Sequence, residues 1–156
     1  MVYTGDMNVR KLDIELIHFF RRISEPAARI SLFIVFFWFG ILKLFDLSPA
    51  GPMVEALFNK TVPFITFPTF IVLFGLFEMI IGILFLVRGT ERIVIPLLAL
   101  HMVTTLMPLV FIPAMTWAQF LVPTMEGQYI IKNMALIAVA IGIAAHLHPV
   151  PRRHHN

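Results

Sequence analysis

Two ionisable side chains lie deep inside segments of the chain that are otherwise apolar. Glu78, in the run GLFEMIIG, is the only charged residue between Thr61 and Val87, and His101 lies inside the next apolar segment. In the middle of a bilayer, ionisable residues are costly and mark ligand sites, ion pathways or proton relays. Glu78 is therefore either a protonated structural group or a functional carboxylate. His101 is either a neutral histidine bonded to a helix carbonyl or a partner of Glu78.

Two lysines extend this set toward the opposite surface of the membrane. Lys43 and Lys132 each lie about 23 Å from the inner ends of their segments at the helical rise, and Asn133 follows Lys132. Either each lysine snorkels to the interface, or both turn inward and line a polar vestibule above Glu78. Trp38 is too deep for the interfacial aromatic belt, so it either packs in the core or forms one wall of a pocket. The candidate ligand-binding or functional polar layer thus consists of Glu78, His101, Trp38, Lys43, Lys132 and Asn133.

The segments that carry these residues have the length and composition of membrane spans. The chain of 156 residues is 59% apolar and 13% charged, whereas soluble domains are about half apolar and about a quarter charged. A helix of about 20 apolar residues crosses the bilayer core. We predict an all-α, polytopic membrane protein whose four-helix transmembrane bundle covers residues 26–147, with spans at 26–45, 67–87, 93–112 and 129–147. Residues 148–156 form a cytoplasmic tail.

A short connection places Glu78 and His101 at similar depth. The sequence VRGTER between the second and third spans is long enough only for a tight hairpin turn. Glu78 then lies about 15 Å, and His101 about 13 Å, from the inner ends of neighbouring helices. Gly75 and Gly82 share a helix face with Glu78, and glycines there let another helix approach closely. We therefore expect Glu78 to point into the bundle, where it meets His101 if the rotations of the two helices agree.

The distribution of basic residues predicts the orientation of the chain. With both termini inside, nine lysines and arginines lie on the inner side and three on the outer side, so the positive-inside rule predicts an N-in, C-in protein. Because these residues flank the spans, the net charge of +3 does not indicate a nucleic-acid partner. Residues 1–25 are predicted to form an amphipathic helix that lies on anionic lipid or packs on another subunit. Its apolar residues recur at helical spacing: Val9, Leu12, Leu16, Phe19, Phe20 and Ile23.

Two connections are predicted on the outer side. The first contains GPMVEALFNK, in which Pro52 suits the first turn of a short interfacial helix. The second, PAMTWAQFLVP, is apolar but is bounded by Pro113 and Pro123. We expect it to lie along the membrane surface or to dip partway into the bilayer.

Several kinds of site are excluded by the residue types. The chain has no cysteine, which rules out disulfides, iron–sulfur clusters and cysteine zinc sites. A haem held between two histidines needs two of them deep in the bundle, and only His101 qualifies. There is no hydrolase-like triad, phosphate loop or zinc motif, so we do not expect the chain to be an enzyme by itself. The C-terminal histidines lack acidic partners and are not expected to bind a metal: His146, His148, His154 and His155.

Three stretches of the chain carry a family resemblance: RISLFIVFFWFGILKLFDLSPAGP, GLFEMIIGILFLV and EGQYIIKNMALIAVA. They resemble the DoxX-like family of four-helix bacterial membrane proteins, and within it the inner-membrane branch associated with reactive-chlorine resistance. The similarity extends over residues 29–145, although the larger outer-loop insertion of the family is absent. The matching positions are Trp38, Gly40, Lys43, Gly75, Glu78, Gly82, Gly127, Lys132 and Asn133. Among them, Gly40, Gly75 and Gly82 are expected to pack helices.

The resemblance implies a protein of the bacterial inner membrane with an accessory role in redox or oxidative-stress defence. Some family members are subunits of quinone-linked oxidoreductases or lie beside soluble redox enzymes, which implies a soluble or membrane oxidoreductase partner. Three functions stay open. The chain is a redox-associated subunit that binds a quinone or lipid-like ligand in the polar layer, a small transporter or proton pathway, or a membrane scaffold. A homo-oligomer is compatible with each of them.

Overall fold

The computed structural model of the protein describes residues 4–62, 64–145 and 147, and these are mostly helical. In chain order the helices and strands are α1 (Thr4–Leu44), α2 (Gly51–Thr61), α3 (Phe67–Leu86), α4 (Glu91–Leu106), α5 (Pro108–Phe111), α6 (Pro113–Thr116), β1 (Trp117–Gln119), β2 (Val122–Pro123) and α7 (Met125–Ala144). The predicted all-α class holds except for the small antiparallel pair formed by β1 and β2.

Four helical segments are long and apolar enough to cross a membrane, as predicted. They are Val9–Leu44, Phe67–Leu86, Glu91–Phe111 and Met125–Ala144. The last begins earlier than the sequence indicated because Thr124 caps it, its hydroxyl accepting a hydrogen bond from the amide of Gly127 at 3.1 Å. The chain is therefore a multi-pass helical membrane protein.

The first helix corrects the predicted helix start at Pro26. Proline removes one backbone donor and crowds the preceding turn, which made position 26 a natural place for a helix to begin. Instead, α1 runs without interruption from Thr4 to Leu44 with Pro26 inside it. An ion pair between Glu25 and Arg29 bridges the turn that contains the proline and helps that turn to stay helical.

Helices α1 and α3 run antiparallel and form the closest pair in the bundle. A Cβ atom added at Gly75 would lie 2.8 Å from the carbonyl oxygen of Gly40, and one added at Gly82 would lie 2.9 Å from the amide nitrogen of Phe37. Only glycine permits such an approach, since any larger residue would push the backbones apart. The apolar core fills the space between this pair and helices α4 and α7: Leu32, Phe36, Ile81, Phe85, Val94, Leu98, Met102, Ala140 and Ile143.

The connection between α3 and α4 is a tight turn. Gly89 adopts a φ of 94° in the left-handed region, which favours glycine. The Thr90 hydroxyl lies 2.6 Å from the carbonyl oxygen of Leu84 and 2.7 Å from that of Val87. It therefore provides a hydrogen-bond donor for carbonyl groups at the end of α3, which have no partner within the helix. This short turn makes α3 and α4 neighbours, as predicted.

The other two connections, from α1 to α3 and from α4 to α7, contain helix α2 and a compact hairpin. Phe58 of α2 is buried against the rings of Phe67 and Phe70, which attaches this helix to the start of α3. The second of these connections forms the short helix α6 and the β1–β2 hairpin. The Trp117 indole donates to the carbonyl oxygen of Leu109 at 3.0 Å and holds the hairpin against the end of the third span.

Candidate functional site

An ion pair lies inside the bundle at the crossing of α1 and α3. The ammonium nitrogen of Lys43 is 2.6 Å from Oε2 of Glu78, and the two residues are only 6% and 5% exposed. Gly40 and Gly75 bring the helix backbones together one turn away from these side chains. Lys43 therefore turns inward instead of snorkelling to the interface. It, and not His101, is the nearest partner of Glu78.

The imidazole of His101 completes a cluster that we name the central trio: Lys43, Glu78 and His101. Nε2 of His101 lies 3.5 Å from Oε1 of Glu78 and 3.3 Å from the hydroxyl oxygen of Thr105. That hydroxyl donates to the carbonyl oxygen of His101 at 2.9 Å. The hairpin between α3 and α4 thus brings Glu78 and His101 together at the depth that the sequence indicated.

One ring nitrogen of His101 has no hydrogen-bond partner among the described residues. This nitrogen is Nδ1, and it is shielded from solvent because His101 is only 4% exposed. The ring lies among phenylalanines, with centroid separations of 5.3 Å to Phe36, 5.3 Å to Phe74 and 6.1 Å to Phe77. A buried polar atom without a partner costs about 1–3 kcal/mol. Nδ1 is therefore an unsatisfied hydrogen-bonding position inside an aromatic shell.

Three residues of the predicted polar layer lie away from the central trio. Trp38 is 61% exposed on the outer side of α1, which corrects both its predicted packing in the core and its predicted role as a pocket wall. Lys132 is exposed on α7, with its ammonium nitrogen 5.2 Å from the ring centroid of Tyr129. Asn133 is half-buried on the same helix. The vestibule predicted from two inward lysines does not form, because α7 turns Gly127 and Ile130 inward instead.

A second buried ionic group contains Arg29, which the sequence indicated only as one of the basic residues beside the spans. We name it the inner cluster: Glu25, Arg29 and Glu91. The Arg29 guanidinium donates to Glu25 at 2.9 Å, to Glu91, and to the carbonyl oxygen of Phe85 at 3.2 Å. It thereby joins α1, the end of α3 and the start of α4. The spacing of four residues between Glu25 and Arg29 was the one signal that pointed to it.

Metal binding finds no support in the described part of the chain. No group of three histidine, aspartate or glutamate side chains in it is arranged to hold an ion. The four C-terminal histidines named above lie outside the described residues.

Fold and site together define a class, a multi-pass helical membrane protein with an ion pair buried inside its bundle. Comparison of the chain with protein-family models, with curated proteins and with solved structures finds no match. A functional proposal must therefore rest on the central trio and on the resemblance of the sequence motifs.

Proposed function

We propose that the protein is an accessory subunit of redox or oxidative-stress defence, including defence against reactive chlorine, and that it binds a quinone-like ligand beside His101. The DoxX-like motifs support the redox context, together with an oxidoreductase partner and a place in the bacterial inner membrane. The observation that carries the ligand is the unpartnered Nδ1 of a histidine buried among phenylalanine rings.

The hydrogen bonds around His101 define which chemical group fits Nδ1. The Thr105 hydroxyl has a single proton and gives it to the backbone carbonyl of His101, so its oxygen faces Nε2 as an acceptor. Oε1 of Glu78 is a second acceptor near the same nitrogen. A neutral imidazole therefore carries its proton on Nε2 and leaves Nδ1 as an acceptor. A ligand at this position has to offer a donor, such as the hydroxyl of a reduced quinone.

The surroundings of Nδ1 suit an aromatic ring. Phe36, Phe74 and Phe77 form an apolar shell, in which Phe74 and Phe77 are only half-buried. Aromatic rings pack favourably against one another in offset or edge-to-face geometry. Small-molecule sites commonly combine such an apolar lining with a few placed polar groups. Lys43 completes the arrangement by balancing the charge of the carboxylate that orients His101.

Mass spectrometry of the ligand that co-purifies with the protein tests this proposal. We expect an organic extract of the purified protein to contain quinone or quinol well above the level found with an unrelated membrane protein from the same cells. His101→Phe keeps a ring but removes both nitrogens, so bound quinone should fall about fivefold for the loss of one hydrogen bond. Lys132→Gln, on the exposed side of α7, is the matched control. Equal quinone in the wild type and both variants would refute binding beside His101, and no quinone above the background would refute ligand binding altogether.

A proton pathway is the second candidate, and one observation favours it. The groups with exchangeable protons form a series from the Lys43 ammonium through Glu78 and His101 to the Thr105 hydroxyl, with successive separations of 2.6, 3.5 and 3.3 Å. Proteoliposomes with an internal pH dye and an imposed potential test this function. Proton flux that Glu78→Gln abolishes would favour the pathway over quinone binding, and flux equal to that of empty vesicles would exclude it.

The proposed placement in the membrane has both termini in the cytoplasm. It follows from the bias of lysine and arginine toward the inner side, where the inner cluster also lies. In this placement residues 1–25 approach the inner leaflet, and α2 and the hairpin lie at the outer surface.

A further inference from the structure

The N-terminal half of α1 carries an apolar stripe that packs on no other part of the described chain. We name residues 9–25 the arm. Five residues of the stripe are largely exposed and Ile23 is half-buried; the exposed ones are Val9, Leu12, Leu16, Phe19 and Phe20. At about 100° per residue they occupy an arc of roughly 100° on one side of the helix. An exposed apolar face of this size is expected to pack against a lipid surface or another protein, because the bundle itself does not bury it.

The stripe points away from the bundle. In the membrane-spanning half of α1 the buried residues Arg29, Leu32, Phe36 and Lys43 lie on one face. At the same helical rotation, the stripe is turned about 150° from that face. An arm that swings outward from the bundle would therefore bring the stripe against the membrane surface.

The length of α1 carries the arm beyond the hydrocarbon core of the membrane. Its 41 residues span about 62 Å, whereas the hydrocarbon core is about 30 Å thick. Sharp turns in helices occur at proline, and Pro26 lies at the junction between the arm and the apolar half.

The charges of the arm indicate which partner the apolar stripe binds. Over residues 9–25 there are four basic residues, Arg10, Lys11, Arg21 and Arg22, and three acidic residues, Asp13, Glu15 and Glu25, so the net charge is four minus three, or +1. A basic polar face opposite an apolar face is the pattern of helices that lie on anionic lipid. A second copy fits less well. With Val9 at position a of a heptad, Glu15 would face Phe20 of a parallel partner helix, with no charge complement.

We propose that the arm docks on the anionic headgroups of the inner leaflet by turning at Pro26, and that the contact between Glu25 and Arg29 restrains this turn. Glu25 lies on the arm side of the proline and Arg29 on the bundle side, and the two are 2.9 Å apart. Arg29 keeps Glu91 and the Phe85 carbonyl when Glu25 moves. The inference rests on the proposed placement of the N-terminus and not on a ligand at His101.

Spin labels on opposite faces of the arm test the proposal. The chain has no cysteine, so Leu16→Cys on the stripe and His18→Cys on the far side can be labelled singly in the full-length protein. The proteins are reconstituted into phosphatidylcholine vesicles with and without phosphatidylglycerol. We expect the label at position 16 to collide with oxygen and the label at position 18 with an aqueous nickel complex. Because each net positive charge near an anionic surface favours docking about fivefold, phosphatidylglycerol should raise the ratio of docked to undocked arm about fivefold.

Each other outcome overturns the proposal. Access of nickel to both labels in anionic vesicles means that the arm stays in water. Shielding of the stripe with spin–spin broadening, removed by dilution with unlabelled protein, means that a second copy covers it.

Two variants separate the restraint from a simple charge effect. Glu25→Gln and Glu15→Gln each remove one negative charge from the arm, but only Glu25 contacts Arg29. We expect Glu25→Gln to raise the docked fraction more than Glu15→Gln does. Equal effects would show that Glu25 acts only through its charge and would overturn the restraint.

Discussion

Lys43 and Glu78, 35 residues apart in the chain, form an ion pair 2.6 Å long inside the bundle. The pair joins the last turn of α1 to the middle of α3, next to the glycines that let these helices touch. A carboxylate that looked isolated in an apolar span therefore has a cationic partner on another helix. This contact determines how both residues respond to substitution.

Removing only one member of the pair should be more harmful than removing both. Lys43→Met leaves the Glu78 carboxylate buried without its partner, and we expect the free energy of unfolding to fall by about 3–5 kcal/mol. The double variant Lys43→Met with Glu78→Met replaces the pair by apolar side chains, so its stability should be close to that of the wild type or higher. Thermal unfolding in detergent measures both. A single variant as stable as the double one would show that the pair carries no charge.

The same double variant separates a functional trio from a structural one. If the trio only packs helices, cells that carry the stable double variant should survive hypochlorite as well as cells with the wild-type protein. We expect instead that protection is lost, because the variant lacks the carboxylate that orients His101. Survival is measured in a strain without the native protein, with membrane levels of each variant matched. Full protection by the double variant would leave the trio as a scaffold.

The close approach of α1 and α3 predicts a strong effect of one added methyl group. A Cβ atom at residue 75 would lie 2.8 Å from a backbone oxygen, which cannot turn aside as a side chain can. Gly75→Ala should therefore lower the free energy of unfolding by about 1–3 kcal/mol, as overpacking does. At Gly51 an added Cβ meets no atom within 4 Å, so Gly51→Ala is the control. Equal melting temperatures for the two variants would contradict the packing.

The inner cluster should stabilise the hairpin between α3 and α4. Glu91→Gln weakens a buried charge-assisted hydrogen bond from Arg29, and we expect a loss of about 1–3 kcal/mol in the free energy of unfolding. Glu55→Gln removes the same charge from an exposed position on α2 and should change stability by about 0.5 kcal/mol or less. Unfolding of the two variants under one set of conditions provides the comparison. A larger effect at position 55 would be incompatible with the role assigned to Arg29.

Reporter fusions test the proposed orientation. Fusions after Thr90 and at the C-terminus should report the cytoplasm, whereas fusions near Asn59 and Ala118 should report the outer side, since one span lies between each of these positions and the next. A cytoplasmic signal near Asn59 would remove the first crossing and with it the four-span arrangement.

The number and type of the spans were determined by the sequence itself, and so were their approximate limits apart from the start of the first. Hydropathy and helix length are local properties, and a bilayer demands about 20 apolar residues whatever the neighbouring helices do. The similar depth of Glu78 and His101 was equally local, because a six-residue turn leaves no other arrangement of α3 and α4. The short helix α2 also followed from its proline and its apolar spacing.

Only the tertiary structure decided which way each side chain faces. Depth follows from counting residues along a helix, but the rotation of the helix about its axis is set by what packs against it. Contact through Gly40 and Gly75 turned Lys43 toward Glu78 and Trp38 outward, while the inward packing of Ile130 left Lys132 on the surface. Arg29 likewise could be placed only near the end of a span from the sequence. In the structure it is buried, because the end of α3 and the start of α4 meet around its guanidinium and accept hydrogen bonds from it.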